Sequence, residues 1–259
     1  VPMAGISIAF KKFSPALGFW KSPWVGFAQF EKFFKSYQFV RVVSNTLILS
    51  LYSIAATFPI PIIFALMMNS LNSVRFKKIT QTIVTMPHFI SVVVLVGILM
   101  QLFNSRTGLY GAIVMKLTGS YPPDLFSSPT IFRHMYVWSG VWQNFGWNSI
   151  IYIAALSAID PSLHEAAVID GASRFQRILY IDFPGILPTV ITLLILRTGS
   201  VMTIGFEKVF LMQNGLNLAA SEIISTYVYK VGLASSGVTD FSYSTAIGLF
   251  NSVINMILI

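Results

Sequence analysis

The chain has 259 residues, 55% of them hydrophobic and 10% charged. A soluble domain carries roughly 25% charged residues, so a water-facing globule is excluded and lipid must solvate much of the chain. The net charge of +8 is spread between apolar runs without a nucleic-acid motif, which argues against nucleic acid as a partner. The absence of cysteine excludes disulfides and Cys-ligated metals.

In chain order, residues 1–10 read as the tail of a membrane span. The sequence begins at Val1 and stops at Ile259 within an apolar run, so both ends read as incomplete. No basic n-region or small-residue cleavage site marks a secretory signal. A long, aromatic and basic connection covers 11–41. A charge-free stretch between Arg41 and Arg75 then gives a span over 46–68, with a kink expected from Pro59 and Pro61. The short connection 69–78 carries Arg75, Lys77 and Lys78. A second span fits between Lys78 and Arg106, with Pro87 near its start. The long connection 104–133 holds Pro122, Pro123 and Pro129. A third span lies between His134 and Asp160, followed by a compact polar loop, 160–185. A fourth span covers 186–204 and contains Arg197. In the mixed connection 205–240, residues 222–231 suit a short interfacial helix, and a fifth span begins near Tyr243.

The apolar runs are continuous, whereas a membrane barrel alternates in short segments. The expectation is an all-α membrane protein, a polytopic bundle of about six transmembrane helices forming one domain over 1–259. Alternation places loops 69–78 and 160–185 on one side and the other three on the opposite side. The three-loop side has the larger number of Lys and Arg, including Lys11, Lys12, Lys32, Arg41, Arg133 and Lys208. Counted naively, that side would be cytoplasmic.

The loop 160–185 carries the most information. Asp160 or Ser162 can cap a helix whose first turn accepts Pro161. Ser162 and Glu165 have capping-box spacing, and Gly171 can end the helix in a left-handed conformation. Ala166 and Ala167 leave a smooth surface for close approach by another protein, and Pro184 and Pro188 mark the return to the membrane. By its physics alone this is a capped helix, with or without a partner.

The segment Glu165-Ala166-Ala167-Val168-Ile169-Asp170-Gly171-Ala172, with Ile181-Asp182-Phe183-Pro184 after it, resembles the EAA loop of binding-protein-dependent ABC importer permeases. Phe183 stands where that loop commonly has Leu. Asp170-Gly171-Ala172 resembles the carbohydrate-importer branch. Phe13-Ser14-Pro15, Ser22-Pro23-Trp24-Val25-Gly26, Asn45-Thr46, Pro87-His88-Phe89-Ile90-Ser91 and Gly205-Phe206-Glu207-Lys208-Val209 are similar to permeases for complex sugars.

The resemblance implies a type I importer permease in a bacterial inner membrane. It implies a second permease subunit in a heterodimer, two ATP-binding subunits and an extracytoplasmic solute-binding protein, with an oligosaccharide as cargo. The loop would be a cytoplasmic coupling helix, with Leu163, Glu165, Ala166, Ala167, Asp170 and Gly171 touching the ATPase. That orientation reverses the naive charge count and leaves a basic extracytoplasmic surface, which suits an acidic, uronate-containing sugar, an acidic binding-protein surface or anionic lipid.

No G-x-x-x-x-G-K-[ST] loop occurs, so ATP and Mg²⁺ are expected on the partner ATPase and no cofactor on this chain. His164-Glu165 begins like H-E-x-x-H, but Val168 occupies the place of the second His, which removes a zinc-protease reading. Substrate-pathway candidates are Trp142, Gln143, Asn144, Asn148 and Arg197. Each has a structural alternative: an interfacial Trp belt, amides that join helices, and an arginine bonded to neighbouring carbonyls. An ion-coupled secondary transporter is the competing function class. It would need a membrane carboxylate, and all nine Asp and Glu fall outside the apolar runs in this reading.

Overall fold

In the computed structural model, residues 5–234 and 239–258 are described. The start of the first expected span and the terminal Ile259 lie outside them. Short helices at Gly18–Lys21 and Ala28–Phe34 precede the main elements. These are α1 (Tyr37–Thr57), α2 (Pro59–Asn69), α3 (Val74–Thr85), α4 (Val92–Leu102), α5 (Leu109–Thr118), α6 (Pro129–Ser157) and α7 (Pro161–Ile169). A turn of helix at Arg174–Arg177 and a π-helical turn at Ile178–Asp182 lead into α8 (Phe183–Thr198). Then come α9 (Phe206–Met212), α10 (Leu218–Ser221), α11 (Ile224–Tyr229) and α12 (Phe241–Leu258). The one β feature among the described residues is an isolated bridge between Lys11 and Trp24.

Among the described residues three helical stretches are long and apolar enough to cross a membrane: Tyr37–Asn69, Arg174–Thr198 and Phe241–Leu258. A fourth is added if the bent pair Val74–Phe89 and Val92–Leu102 counts as one. The expected number of about six is not established by these elements. The third expected span is a 29-residue helix, α6, but its amides and indoles make it less apolar than the others.

Several expectations change in detail. The span expected over 46–68 starts at Tyr37 and runs 33 residues, about 50 Å at 1.5 Å per residue. It continues through Pro59, which opens α2 at the position where a missing N–H costs least. The span expected between Lys78 and Arg106 is bent by 95°. Pro87 lies in the 3-10 turn Met86–Phe89 at the break, because it lacks an N–H and restricts the residue before it. The fourth span ends at Thr198, with a non-helical stretch before α9. The short helix expected over 222–231 starts at Ile224, where α11 runs directly into a π-helical turn at Lys230–Ala234, but Ile223, Ile224, Thr226 and Tyr227 are buried rather than set at an interface. Residues 6–10 form a 3-10 turn packed on α12.

The chain divides into two compact units. The first holds residues 1–51, 96–136 and 199–259 and contains all three basic loops. There α12 packs against Ala28–Phe34, α11 and Ile6–Phe10. The fully buried Phe33 meets Phe39 and Phe250 edge-on, with ring centroids 5.0 and 5.5 Å apart. Buried Glu222 pairs with Arg41 and, at 3.4 Å, with Lys230. Asn45 Nδ2 donates to the carbonyls of Ala219 (2.9 Å) and Glu222 (3.1 Å), and Arg133 donates to Asn45 Oδ1 (2.9 Å).

Lys208 is buried on α9, donating to the Tyr136 carbonyl at 3.0 Å, and burial pushes its pKa down from 10.5 to about 8. The folded state therefore loses this proton before the unfolded chain does, and stability rises with pH between about 8 and 10.5. Lys208→Met is expected to raise the thermal unfolding temperature at pH 7, with the gain fading as pH climbs through that window. Melts in detergent at pH 7 and pH 10 check this.

The second unit holds residues 52–95 and 137–198 and contains both remaining loops. Its core is Ile62 and Ala65 of α2, Tyr152 and Leu156 of α6, and Ile186 and Val190 of α8.

Candidate functional site

The local sequence explains the shape of α7. Asp160 accepts the Ser162 N–H at 2.9 Å as N-cap, and Pro161 opens the helix. Those Ser162 contacts, the backbone N–H above all, hold the Asp160 carboxyl below its ordinary value. At the other end Gly171 has φ +78°. Its N–H reaches the Val168 carbonyl at 3.1 Å, and the Ala172 N–H reaches the Ala167 carbonyl at 2.8 Å. This is the six-to-one, five-to-two pair of a Schellman ending. The capping box expected for Ser162 and Glu165 is not formed, since Asp160 takes the cap and shifts Ser162 inside the helix. A box forms one loop later, between Ser173 and Gln176.

No residue of α7 is buried. Leu163, Ala166 and Asp170 follow a three-and-four spacing along one exposed stripe, with Ala167 half-buried beside it. Glu165 and Gly171 are exposed too. Leu163 is 52% exposed, Ile169 86% and Phe175 71%. All six residues singled out for partner contact thus lie on one short, firmly capped, apolar-edged helix and its ending.

The inner side of α7 is polar. His164 Nε2 lies 3.3 Å from Asp182 Oδ1. Asn69 Nδ2 donates to the same oxygen at 3.0 Å, and Lys77 Nζ donates to the Asn69 carbonyl at 3.1 Å. Asp182 is buried. A cavity of about 350 Å³ opens beside this cluster, lined by Asn69, His164, Arg174, Arg177 and Asp182 among others. Asp182 is not among the residues singled out from the sequence, where its one visible signal is a carboxylate between the apolar Ile181 and Phe183.

The pathway candidates separate. Gln143 is buried and donates to the Ile90 carbonyl at 2.8 Å, at the break beyond Pro87. Asn144 donates to the Gly140 carbonyl at 3.0 Å, and its Oδ1 lies 2.9 Å from His88 Nδ1. The His88 ring stacks on Trp147 with centroids 4.5 Å apart. Both amides therefore serve backbone and side-chain groups at the bend, as polar groups in apolar surroundings must. The bend also needs Gly146, where a Cβ would lie 2.1 Å from the Val84 carbonyl oxygen. Trp142 is half exposed and Asn148 half-buried. Arg197 lies in the last turn of α8, where its charge complements the helix dipole, rather than in mid-span. Among the described residues no group of three or more His, Cys, Asp or Glu could hold a metal ion.

The sequence model of the family described as "Binding-protein-dependent transport system inner membrane component" matches residues 57–259. The protein named LplB of Bacillus subtilis (strain 168) is 44% identical over all of this chain and 80% of its own length. The polygalacturonan/rhamnogalacturonan transport system permease protein YteP of the same organism is 39% identical, over all of this chain and 79% of its own. The crystal structure of a bacterial ABC transporter involved in the import of the acidic polysaccharide alginate superposes with a TM-score of 0.90 at 36% identity. That match covers 99% of this chain and 85% of the other.

Proposed function

Since this chain belongs to the family of binding-protein-dependent transport system inner membrane components, we propose that it passes an acidic oligosaccharide across the membrane and takes its drive through α7. It is the permease subunit of a sugar ABC importer of the bacterial inner membrane. Its partners are a second permease subunit, a pair of ATP-binding subunits that carry Mg²⁺ and ATP, and an extracytoplasmic binding protein. In this reading α7 faces the cytoplasm and docks on an ATP-binding subunit, with Leu163, Glu165, Ala166, Ala167, Asp170 and Gly171 in contact. Closure of the ATPase pair then moves the membrane helices between inward-open and outward-open states.

The observation that carries the acidic cargo is the similarity, over nearly the whole chain, to a transporter that imports alginate, an acidic polysaccharide. Charge supports it. In the first unit Glu31, Glu222 and Asp240 are each met by basic partners, Lys35, Arg41 with Lys230, and Lys32. Lys12, Lys21, Arg106 and Lys116 remain exposed. Such a surface raises the local concentration of a polyanion and weakens as salt screens it.

The complete importer in proteoliposomes, with its binding protein, is expected to take up trigalacturonate in preference to maltotriose, and only with ATP inside. A strict preference for the neutral sugar overturns the acidic cargo. Uptake that persists without ATP overturns the ATPase-driven reading.

A further inference from the structure

We infer that Asp182 is the joint through which movement of α7 reaches the membrane helices, a positioning residue for coupling rather than a contact with ATPase or sugar. The inference rests on the reading of α7 as the ATPase-docking helix. A helix with no buried side chain cannot pull on its neighbours through core packing. Beyond its two chain connections, α7 has a polar attachment to the interior of its unit, from His164 Nε2 to Asp182 Oδ1 at 3.3 Å.

Asp182 is well placed to pass that pull on. It ends the π-helical turn that leads directly into α8. The oxygen that meets His164 also accepts from Asn69 at 3.0 Å, at the last residue of α2. One buried carboxylate oxygen thus ties α7, α2 and α8 together. A buried carboxylate is costly unless its partners stay with it, so a displaced His164 draws the acid, and with it Asn69, or leaves a charge unmatched. Coupling of this kind needs two arrangements of one connected element. The 350 Å³ cavity lined by the same Asn69, His164 and Asp182 gives the joint room to change without repacking the core. Arg177, which also lines it, has a buried Nε with no hydrogen-bond partner, a donor available to Asp182 in a second arrangement.

The test uses the full importer with its binding protein, with trigalacturonate as the probe, or maltotriose if wild type prefers it. Asp182→Ala and His164→Ala are expected to co-purify with the ATPase at wild-type stoichiometry and to hydrolyse ATP. Sugar moved per ATP should fall by roughly tenfold in each. The double variant should do no worse than either single one, because both remove the same connection. Should Asp182→Ala fold poorly, Asp182→Asn, which keeps a partner for Asn69, gives the same comparison. An unchanged sugar-to-ATP ratio overturns the joint, as does loss of ATPase in step with uptake or strict additivity of the two substitutions. Glu165→Lys is the control for the underlying reading. If it fails to uncouple, α7 is not the docking helix; if it uncouples and Asp182→Ala does not, the joint alone is wrong.

Discussion

Gly171→Val is expected to abolish most uptake per ATP hydrolysed while the chain still inserts in the membrane. Gly171 sits at φ +78°, a conformation that costs an L-residue about 1–2 kcal/mol and a β-branched one the most. A Cβ there meets nothing within 4 Å, so the penalty is conformational rather than steric. To relieve it the chain must abandon the Gly171 and Ala172 hydrogen bonds to Val168 and Ala167. The last turn of α7 then frays, and Asp170 and Ile169 lose their fixed positions on the face proposed to meet the ATPase. Because the fault is conformational, Gly171→Asn should keep most of the activity, since Asn tolerates the left-handed region. Glu165→Lys should uncouple by another route, reversing a charge on the exposed face with the helix intact. Uptake, ATP hydrolysis and ATPase co-purification measured side by side check all three. Normal uptake by Gly171→Val, with the ATPase bound and stimulated, would sink the assignment of α7.

The second large effect is expected at Gly146. A side chain there would meet the Val84 carbonyl oxygen at 2.1 Å and its carbon at 2.4 Å. Both are backbone atoms and cannot swing aside. Gly146→Leu should therefore push α6 away from the end of α3 and lengthen the Gln143 bond to Ile90 and the His88–Asn144 contact. Overpacking of this kind costs about 1–3 kcal/mol, and the released polar groups add to it. A large fall in thermal unfolding temperature in detergent is the expected readout. Gly97→Ala is the contrast: a Cβ there meets nothing within 4 Å, and the change should stay within about 1 kcal/mol of wild type. Equal stability of the two variants would mean that the close approach at Gly146 is not needed.

What could be read from the sequence was what neighbouring residues decide. Asp160, Pro161 and Gly171 announced the bounds of α7 because a cap, a first-turn proline and a left-handed glycine act within a few residues of themselves. Ser162 failed as a cap because a better acceptor stands two residues before it. The amides of α6 were harder. Gln143 and Asn144 in an apolar run suggested a polar path, but the groups they serve, at Ile90 and His88, lie more than fifty residues away in sequence. Pro87 was visible as an interruption, yet the 95° turn depends on what α6 supplies to hold it. Asp182 was read as lying outside the membrane runs. Its importance comes from Asn69, 113 residues earlier, and no local pattern reports that meeting. Arg197 stands out in the sequence as a charge in mid-span because the apolar run reads on to Ile204, although Gly199, directly after Thr198, marks the helix end.

The exposed side chains around α7 also bear on how the chain is made. A subunit released alone would present Leu163, Ile169, Phe175 and Tyr180 to water, the last two on the successive turns Arg174–Arg177 and Ile178–Asp182. Such surface attracts chaperones and proteases and favours self-association. With α7 docked as proposed, the yield of intact permease should follow the supply of the ATP-binding subunit, so that co-expression acts as a folding aid and an orphaned permease is short-lived.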